Sequence, residues 1–206
     1  MHGIPIHGEL NTIWEGFSGG GRSASKCKQY MRVAMSLDAR RPDHPPERDF
    51  CFTSSDLEDV VPHEDDPVVI SFVTMGRKVH KVLIDQGSST DVMFWTMFNS
   101  LQLSPDQLKP CDGCFVGFTR DQVEVQEYIE LRTTFSDGTS ARKITVRYIV
   151  VNASSAYNLL SGRPSLNRLD VVASTTHMKM KLPSLEGVIT ISSYQKMARK
   201  CYESSL

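Results

Sequence analysis

The amino-acid sequence predicts an all-β domain with one or two short helices. Residues 66–183 contain many short runs of β-branched and other apolar residues, and turn-forming residues separate these runs. Few stretches of this region have the apolar spacing of a helix. Strand-like runs do not alternate with long helical runs, as they would in a domain with crossover helices. These observations favour an all-β architecture over an α/β one.

The first half of this region predicts two strands followed by a less regular segment. Residues 67–73 (PVVISFV) and 81–84 (KVLI) are compact apolar runs, and a glycine-containing turn lies between them. Residues 91–103 (DVMFWTMFNSLQL) carry apolar side chains at a spacing that suits a short helix or an irregular packed segment better than a strand. The polar residues 104–110 (SPDQLKP) predict a loop.

The second half predicts a hairpin, a short helix and the last strands. Residues 123–135 alternate apolar and polar side chains and predict a long strand. The tetrapeptide SDGT at 136–139 is a turn signal, and residues 141–151 form the returning strand. A helix can begin in residues 162–169, because Pro164 is tolerated in a first turn. The segments MKMKLP and VITI supply the last strands.

Composition divides the chain into a flexible linker (1–65), a folded domain (66–183) and a C-terminal tail (184–206), whose end can form a helix. The linker is rich in Gly, Ser and Pro and predicts at most one short helix, around 25–36. Residues 22–41 carry six basic side chains against one acidic one. This stretch predicts either a weak RNA contact or a solvated tether.

The overall composition excludes several classes of protein. Hydrophobic residues make up 40% and charged residues 23%, which is ordinary globular usage and excludes a chain that is disordered throughout. A net charge of −1 argues against binding nucleic acid over the whole surface. No apolar stretch approaches the ~18 residues of a membrane span. Without a signal-peptide pattern, the five cysteines are expected to be reduced thiols in a cytoplasmic protein.

The segment with the clearest chemical content is KVLIDQGSSTDVM at 81–93. Asp85 follows an apolar strand, so its carboxylate is expected at the mouth of a sheet. Gly87 lets the backbone approach closely, which allows amide N–H groups to bond the carboxylate. Ser88 is placed to donate a hydroxyl hydrogen bond to the outer oxygen of Asp85.

This pattern of two apolar residues and then Asp-x-Gly-Ser-Ser resembles the active-site signature of aspartic proteases. The segment YNLLSGRPSL at 157–166 resembles the second element of that family, which packs beneath the active site. The flanking stretches around 8–35 and 174–191 resemble those of the protease in Gag-Pol polyproteins of plant gypsy-type long-terminal-repeat retrotransposons. The resemblance implies a retropepsin-like acid-protease β-barrel with a flap hairpin.

The resemblance also assigns roles to individual residues. It makes Asp85 the catalytic residue, supported in the active-site loop by Gln86, Gly87 and Ser88. It places the structural elements under the active site at Leu160, Gly162 and Arg163. It places the flap at Gly117, Phe118, Thr119, Arg120 and Asp121.

A single Asp-x-Gly implies that two copies of the chain form one active site. In the family two carboxylates share one proton and activate a water molecule, without a metal or another cofactor. Asp85 and its symmetry mate would therefore meet at the axis of a homodimer. The implied substrate is an extended peptide of the chain's own polyprotein, and the implied setting is the cytoplasm, virus-like particles included, with no membrane partner.

The sequence departs from the family pattern at several positions. Gln86 stands where Thr or Ser is usual, and Ser161 stands where a large apolar residue precedes the glycine. The expected flap tip has no glycine, and Glu127 and Asp170 stand where relatives tend to have one. The alternative is therefore a catalytically decayed or non-catalytic dimerisation or interaction module with the same fold.

Two further features have competing interpretations. Cys111 and Cys114 have metal-ligand spacing, but no second pair follows, so two free thiols are favoured over a metal site. Arg163 is expected either to form a buried ion pair near Asp91 or the active-site loop, or to face solvent at the start of a helix.

Overall fold

Strands dominate the fold of the protein. Its structure, a computed structural model, describes residues 49–62, 65–110 and 127–204, together with the backbone of 115–116 and 122–123. The described strands are β1 (Val69–Thr74), β2 (Arg77–Ile84), β3 (Asp91–Phe94), β4 (Lys109–Pro110), β5 (Phe115–Val116), β6 (Gln122–Val123), β7 (Glu127–Ser136), β8 (Ala141–Val151), β9 (Leu159–Ser161), β10 (Val172–Ser174), β11 (Lys179–Pro183) and β12 (Val188–Ser192). The described helices are α1 (Trp95–Ser100), α2 (Arg163–Arg168) and α3 (Gln195–Glu203), with 3₁₀ turns at Ser54–Leu57 and Pro105–Gln107.

Six of the strands close into a barrel. They follow the order β1-β2-β9-β3-β8-β7, and β1 also pairs with β7, where Val73 and Thr74 face Thr134 and Thr133. Closure leaves neither β1 nor β7 as an open edge over these residues. Strands β10, β11 and β12 form a separate three-stranded sheet. The predicted all-β class with few short helices is confirmed.

Local turn chemistry explains two of the hairpins. Met75 and Gly76 between β1 and β2 both have positive φ, 51° and 70°, which suits a two-residue turn whose twist matches the strands. Between β7 and β8, the carboxylate of Asp137 accepts hydrogen bonds from the backbone N–H groups of Thr139 and Ser140, both at 2.9 Å. These bonds, that from Ser140 first, lower the pKa of Asp137 to about 2. The hairpin predicted at SDGT is confirmed.

The prediction for residues 91–103 is wrong over its first four residues, which form β3 rather than a helix or an irregular segment. Strand β3 lies between β9 and β8, and Val92 faces Leu160 on one side and Ile149 on the other. Both faces of β3 are covered, so Val92 and Met93 are both buried and the alternation that marks a half-exposed strand is missing. The helix begins only at Trp95 and stacks Trp95 on Phe98.

One other prediction needs correction, and one is described only in part. Of the long strand predicted over 123–135, the structure describes Val123 at the end of β6 and the strand β7 from Glu127 onward, while residues 124–126 lie outside the described residues. The loop predicted over 104–110 contains a 3₁₀ turn and the short strand β4, which pairs with the start of β7. Strand β4 arises from its pairing with β7, which the local pattern of residues 104–110 does not carry.

The segments on either side of the predicted domain contact the barrel and the second sheet. Phe52 stacks on His177 with ring centroids 4.8 Å apart, and the Asp56 carboxylate lies 2.8 Å from Lys181 Nζ. The predicted terminal helix is present as α3, and its buried Ala198 packs against Val69. The described contacts therefore join residues before 66 and residues after 183 to the predicted domain. The domain boundaries themselves stay predictions.

Several predictions lie outside the described residues. They are the helix around 25–36, the RNA contact of 22–41, the flap residues 117–121 and the cysteine pair 111 and 114. None of the helices of the described residues is both long and apolar enough to cross a membrane.

Candidate active site

Asp85 is held where the barrel strands end. It follows β2 directly, and its backbone N–H donates a 3.0 Å hydrogen bond to the carbonyl oxygen of Ser161, the last residue of β9. Strand β9 runs parallel to β2 and antiparallel to β3, so it is inserted between two strands that are consecutive in the chain. The 85–90 loop, which joins β2 to β3, therefore passes over the end of β9. The Asp85 side chain is half-buried there.

The loop itself fixes one oxygen of the carboxylate. The Gly87 N–H donates to Asp85 Oδ1 at 2.9 Å, which confirms the predicted amide contact. A Cβ at position 87 would lie 3.2 Å from that same oxygen, so glycine suits the close approach. Gln86 and Gly87 are exposed, and the Ser88 N–H closes the turn on the Asp85 carbonyl oxygen at 3.2 Å. The acid is thus held by its own loop and stays open to solvent.

The predicted hydrogen bond from Ser88 to Asp85 is not formed. The Ser88 hydroxyl donates its one proton to the carbonyl oxygen of Thr90 at 3.0 Å. This bond closes the second half of the loop, since a serine hydroxyl readily bonds backbone two residues away. Ser88 therefore shapes the loop and does not contact the carboxylate.

Gly162 packs directly beneath the 85–90 loop. A Cβ built on it would lie 2.2 Å from the Thr90 carbonyl oxygen and 3.0 Å from that of Ser88. The next residue, Arg163, donates its backbone N–H to the Ser88 carbonyl oxygen at 3.0 Å. Only glycine allows this separation between β9 and the loop, because the neighbours are backbone atoms.

The side chains around Gly162 divide between the interior and the surface. Leu160 packs with Val92 and Ile149 in a small apolar cluster. The Arg163 side chain is exposed, and over residues 49–62, 65–110 and 127–204 it forms no ion pair. Of the two predictions for Arg163, the solvent-facing one agrees with the structure.

Ser161, the residue that departs from the apolar pattern, is fully accommodated. It is 2% exposed, and its Oγ lies 3.0 Å from the Oγ of Ser165. The Ser165 hydroxyl in turn donates a short hydrogen bond to Asp91 Oδ1. A buried hydroxyl without a partner would cost about 1–3 kcal/mol, and this one has a partner.

Sequence analysis missed the central role of Asp91 in this arrangement. Asp91 is 2% exposed, and its Oδ1 also accepts the Gly162 N–H at 2.8 Å. Burial raises the pKa of Asp91 to about 7, against the opposing effect of the hydrogen bonds from Ser165 and Gly162. The one available signal was an acid directly before Val92 and Met93 in an apolar run, which also fits an ordinary loop residue.

The raised pKa of Asp91 predicts that stability falls as pH rises from about 4 to about 7. The folded protein holds the Asp91 proton more tightly than the unfolded chain does. The contribution of this proton to the free energy of unfolding is therefore complete below pH ~4 and is lost as pH rises through 7. A tenfold change in proton affinity is about 1.4 kcal/mol, so the loss amounts to a few kcal/mol. The lowered pKa values of Asp56 and Asp137, both about 2, act below this window.

Urea titrations at pH 4.5, 6.0 and 7.5 measure this effect. The midpoint of the wild-type protein is expected to fall with each step, and that of Asp91→Asn is expected to change much less, because Asn does not ionise. Equal pH dependence in the two proteins would contradict the assignment to Asp91.

The remaining predicted site residues are only partly described. Strands β5 and β6 pair antiparallel, with Phe115 facing Val123, but the hairpin tip at 117–121 lies outside the described residues. Glu127 is exposed at the start of β7. Asp170 has φ of 52°, in the left-handed region, which explains why glycine suits this position. Within the described ranges, no group of three His, Cys, Asp or Glu side chains is arranged to hold a metal.

Comparisons with known proteins identify similar solved structures only. No protein-family model matches the sequence, and no curated protein matches it. The chain is similar to the retroviral protease-like domain of Ddi1 from Leishmania major, at 14% identity and a TM-score of 0.48, over 63% of this chain and 95% of that one. It is similar to a retropepsin-like aspartic protease from Rickettsia conorii, at 13% identity and a TM-score of 0.38, over 60% and 80% of the two chains. It is also similar to EIAV protease in complex with the inhibitor HBY-793, at 16% identity and a TM-score of 0.39, over 56% and 99%.

Proposed function

We propose that this chain is the retropepsin-like aspartic endopeptidase domain of a retrotransposon polyprotein and that it works as a homodimer. The observation that carries the proposal is the hydrogen bonding of the two carboxylate oxygens of Asp85. The Gly87 N–H fixes Oδ1, while Oδ2 has no hydrogen-bond partner among the described residues. The half-buried carboxylate thus keeps one oxygen available for a water molecule or for a second carboxyl group.

The chemistry follows from placing two such carboxylates side by side. Like charges about 3 Å apart do not both ionise, so the pair binds one proton and titrates as a unit. The charged partner draws a proton from a bound water molecule, whose oxygen attacks the peptide carbonyl carbon. The protonated partner stabilises the forming oxyanion and then protonates the leaving nitrogen. The C–N bond breaks, and the products are a carboxylic acid and an amine.

A second copy of the chain is the simplest source of the second carboxylate. The sequence contains one Asp-x-Gly-Ser motif, at Asp85, and the exposed Gln86 and Gly87 leave this loop open for contact with a partner. Gln86 retains a donor and an acceptor at the position where the family usually has a hydroxyl. An isologous interface would bring both loops to one two-fold axis.

The substrate and the biological setting rest on the sequence resemblance. An extended peptide would bind between the subunits, held by strand-like backbone pairing and by pockets for alternate side chains. The flanking sequences make the chain's own Gag-Pol polyprotein the proposed substrate and a plant gypsy-type element the proposed source. Processing would take place in the cytoplasm or inside virus-like particles.

The alternative function is a catalytically decayed or non-catalytic dimerisation or interaction module. Gln86 favours it, because the usual small hydroxyl residue is replaced in the loop that would meet the partner. The buried Ser161 does not favour it, since its hydroxyl is paired with Ser165. The two functions differ in whether a dimer cleaves peptides.

Cleavage of a longer polyprotein fragment, with and without pepstatin, tests the proposal. We expect pepstatin-sensitive cleavage, and sedimentation at micromolar concentration is expected to show a dimer. A dimer that leaves the fragment intact under all conditions would favour the module. A strict monomer that still cleaves would contradict the shared active site.

A further inference from the structure

A buried carboxyl group connects the start of β3 to the junction between β9 and α2. Asp91 Oδ1 accepts the Gly162 N–H at 2.8 Å and the Ser165 hydroxyl. These donors are 71 and 74 residues away in the chain. Asp91 and Ser165 are 2% and 3% exposed, so water is excluded from the contact. We name Asp91, Gly162 and Ser165 the carboxyl clamp.

The junction that the clamp holds is the same one that supports the active-site loop. On one side of Gly162, the Ser161 carbonyl oxygen accepts the Asp85 N–H at 3.0 Å. On the other side, the Arg163 N–H donates to the Ser88 carbonyl oxygen at 3.0 Å. A displacement of Gly162 therefore moves both supports of the loop that carries the acid.

The donors of the clamp form an ordered chain. Ser165 has one hydroxyl proton, and it is directed at Asp91, so the Ser161 hydroxyl is left to donate to Ser165. Tyr148 of β8 faces Asp91 in the pairing, but its hydroxyl bonds Thr133 at 3.2 Å. Across the described part of the chain, no basic side chain forms an ion pair with Asp91.

We propose that Asp91 is a positioning residue that acts through Gly162 to hold the Asp85 loop in its reactive geometry. The proposal rests on the proposed protease function for its effect on catalysis. Its structural part, that Asp91 orders the backbone at residues 85–88 and 161–163, stands apart from that function. The path from the Asp91 carboxyl group to Asp85 contains two hydrogen bonds, from Gly162 N–H to Asp91 and from Asp85 N–H to the Ser161 carbonyl oxygen, so the coupling is local rather than spread over the barrel.

The experiment compares Asp91→Ala, Asp91→Asn and a matched control, Thr133→Ala. Thr133 is fully buried and its hydroxyl bonds Tyr148, so its removal destabilises the barrel without removing a hydrogen bond of the clamp. Native-state amide hydrogen exchange, resolved by residue, is measured for Asp85, Gly162 and Arg163 against the amides of β7 and β8. Where the wild-type protein cleaves, kcat and KM are measured as well.

For Asp91→Ala we expect the amides of Asp85, Gly162 and Arg163 to exchange at least tenfold faster than in the wild-type protein. This change is expected to exceed that at any amide of β7 and β8. We also expect a tenfold or larger fall in kcat, with KM within threefold. Asp91→Asn keeps an oxygen acceptor and is expected to restore both readouts to within threefold of wild type. Thr133→Ala is expected to leave the three amides and kcat close to wild type.

Two results would overturn the proposal. One is faster exchange in Asp91→Ala spread evenly over the barrel, and the other is a fall in kcat no larger than that of Thr133→Ala. If Asp91→Ala does not fold, Ser165→Ala replaces it, because this change removes one donor and keeps the carboxyl group. If the wild-type protein cleaves nothing, the protease function fails, and the exchange pattern alone then decides on the clamp.

Discussion

Asp85→Asn is expected to abolish peptide cleavage, by at least about a thousandfold, while the barrel remains folded. The Asn side-chain oxygen can accept the Gly87 N–H that Asp85 Oδ1 accepts at 2.9 Å, so the loop keeps its shape. The amide cannot draw a proton from water and cannot share one with a second carboxylate. Asp106→Asn, in the exposed 3₁₀ turn Pro105–Gln107, is the matched control and is expected to retain full activity. The measurement is the initial rate of peptide cleavage, with the urea midpoint as a check of folding.

Mixing the two proteins tests whether two copies build one site. If subunits exchange, an equimolar addition of Asp85→Asn is expected to reduce wild-type activity to about half, because mixed dimers lack one carboxyl group. A ninefold excess is expected to reduce it to about one tenth. Full wild-type activity in a ninefold excess, after exchange is shown by sedimentation of tagged subunits, would contradict the shared site. Residual cleavage by pure Asp85→Asn at the wild-type rate would contradict the catalytic role itself.

Gly162→Ala is expected to destabilise the fold by more than about 4 kcal/mol, a size that marks direct structural conflict. The new Cβ would lie 2.2 Å from the Thr90 carbonyl oxygen, 2.9 Å from the carbonyl carbon and 3.0 Å from the Ser88 carbonyl oxygen. Relief requires the loop and the junction between β9 and α2 to separate, because backbone atoms cannot rotate away as a flexible side chain can. That movement would also break the Gly162 N–H contact with Asp91.

The backbone conformation of Gly162 does not contribute to this cost. Its φ of −97° and ψ of −174° are extended values that alanine adopts readily. Gly138→Ala provides the opposite case, with φ of 100° and open space around the new Cβ, and is expected to cost about 1 kcal/mol. Urea denaturation of both variants measures the difference. A Gly162→Ala midpoint close to that of Gly138→Ala would contradict the packing argument.

The site shows where sequence reasoning succeeds. The strand-to-loop transition at Asp85, the contact of Gly87 with the carboxylate and the position of Gly162 beneath the loop all agree with the structure. The turn at Asp137 and the helix that begins after Gly162 agree as well. Most of these features depend on residues within a few positions of one another. The position of Gly162 depends instead on a close contact between backbone segments, which only glycine allows.

The site also shows where sequence reasoning fails. The Ser88 hydroxyl had two acceptors within reach, and only the folded loop selects Thr90 over Asp85. Ser161 interrupts an apolar pattern, and its partner Ser165 becomes visible only when α2 turns back over β9. The roles of these side chains are set by distances across the fold, which spacing along the chain does not encode.

By itself, the sequence determined the all-β class, the hairpins and the acid at the end of β2, because turn chemistry and apolar runs act between neighbours in the chain. Only the tertiary structure decided that residues 91–94 form a strand and that Asp91 is a buried carboxyl group bound to Gly162 and Ser165. The physical reason is that both faces of β3 are buried: Met93 lies in the main core, and Val92 packs with residues of β8 and β9, which begin about 50 and 68 residues later. Such burial removes the polar-apolar alternation of a strand and raises the proton affinity of an acid, and neither effect has a local signature.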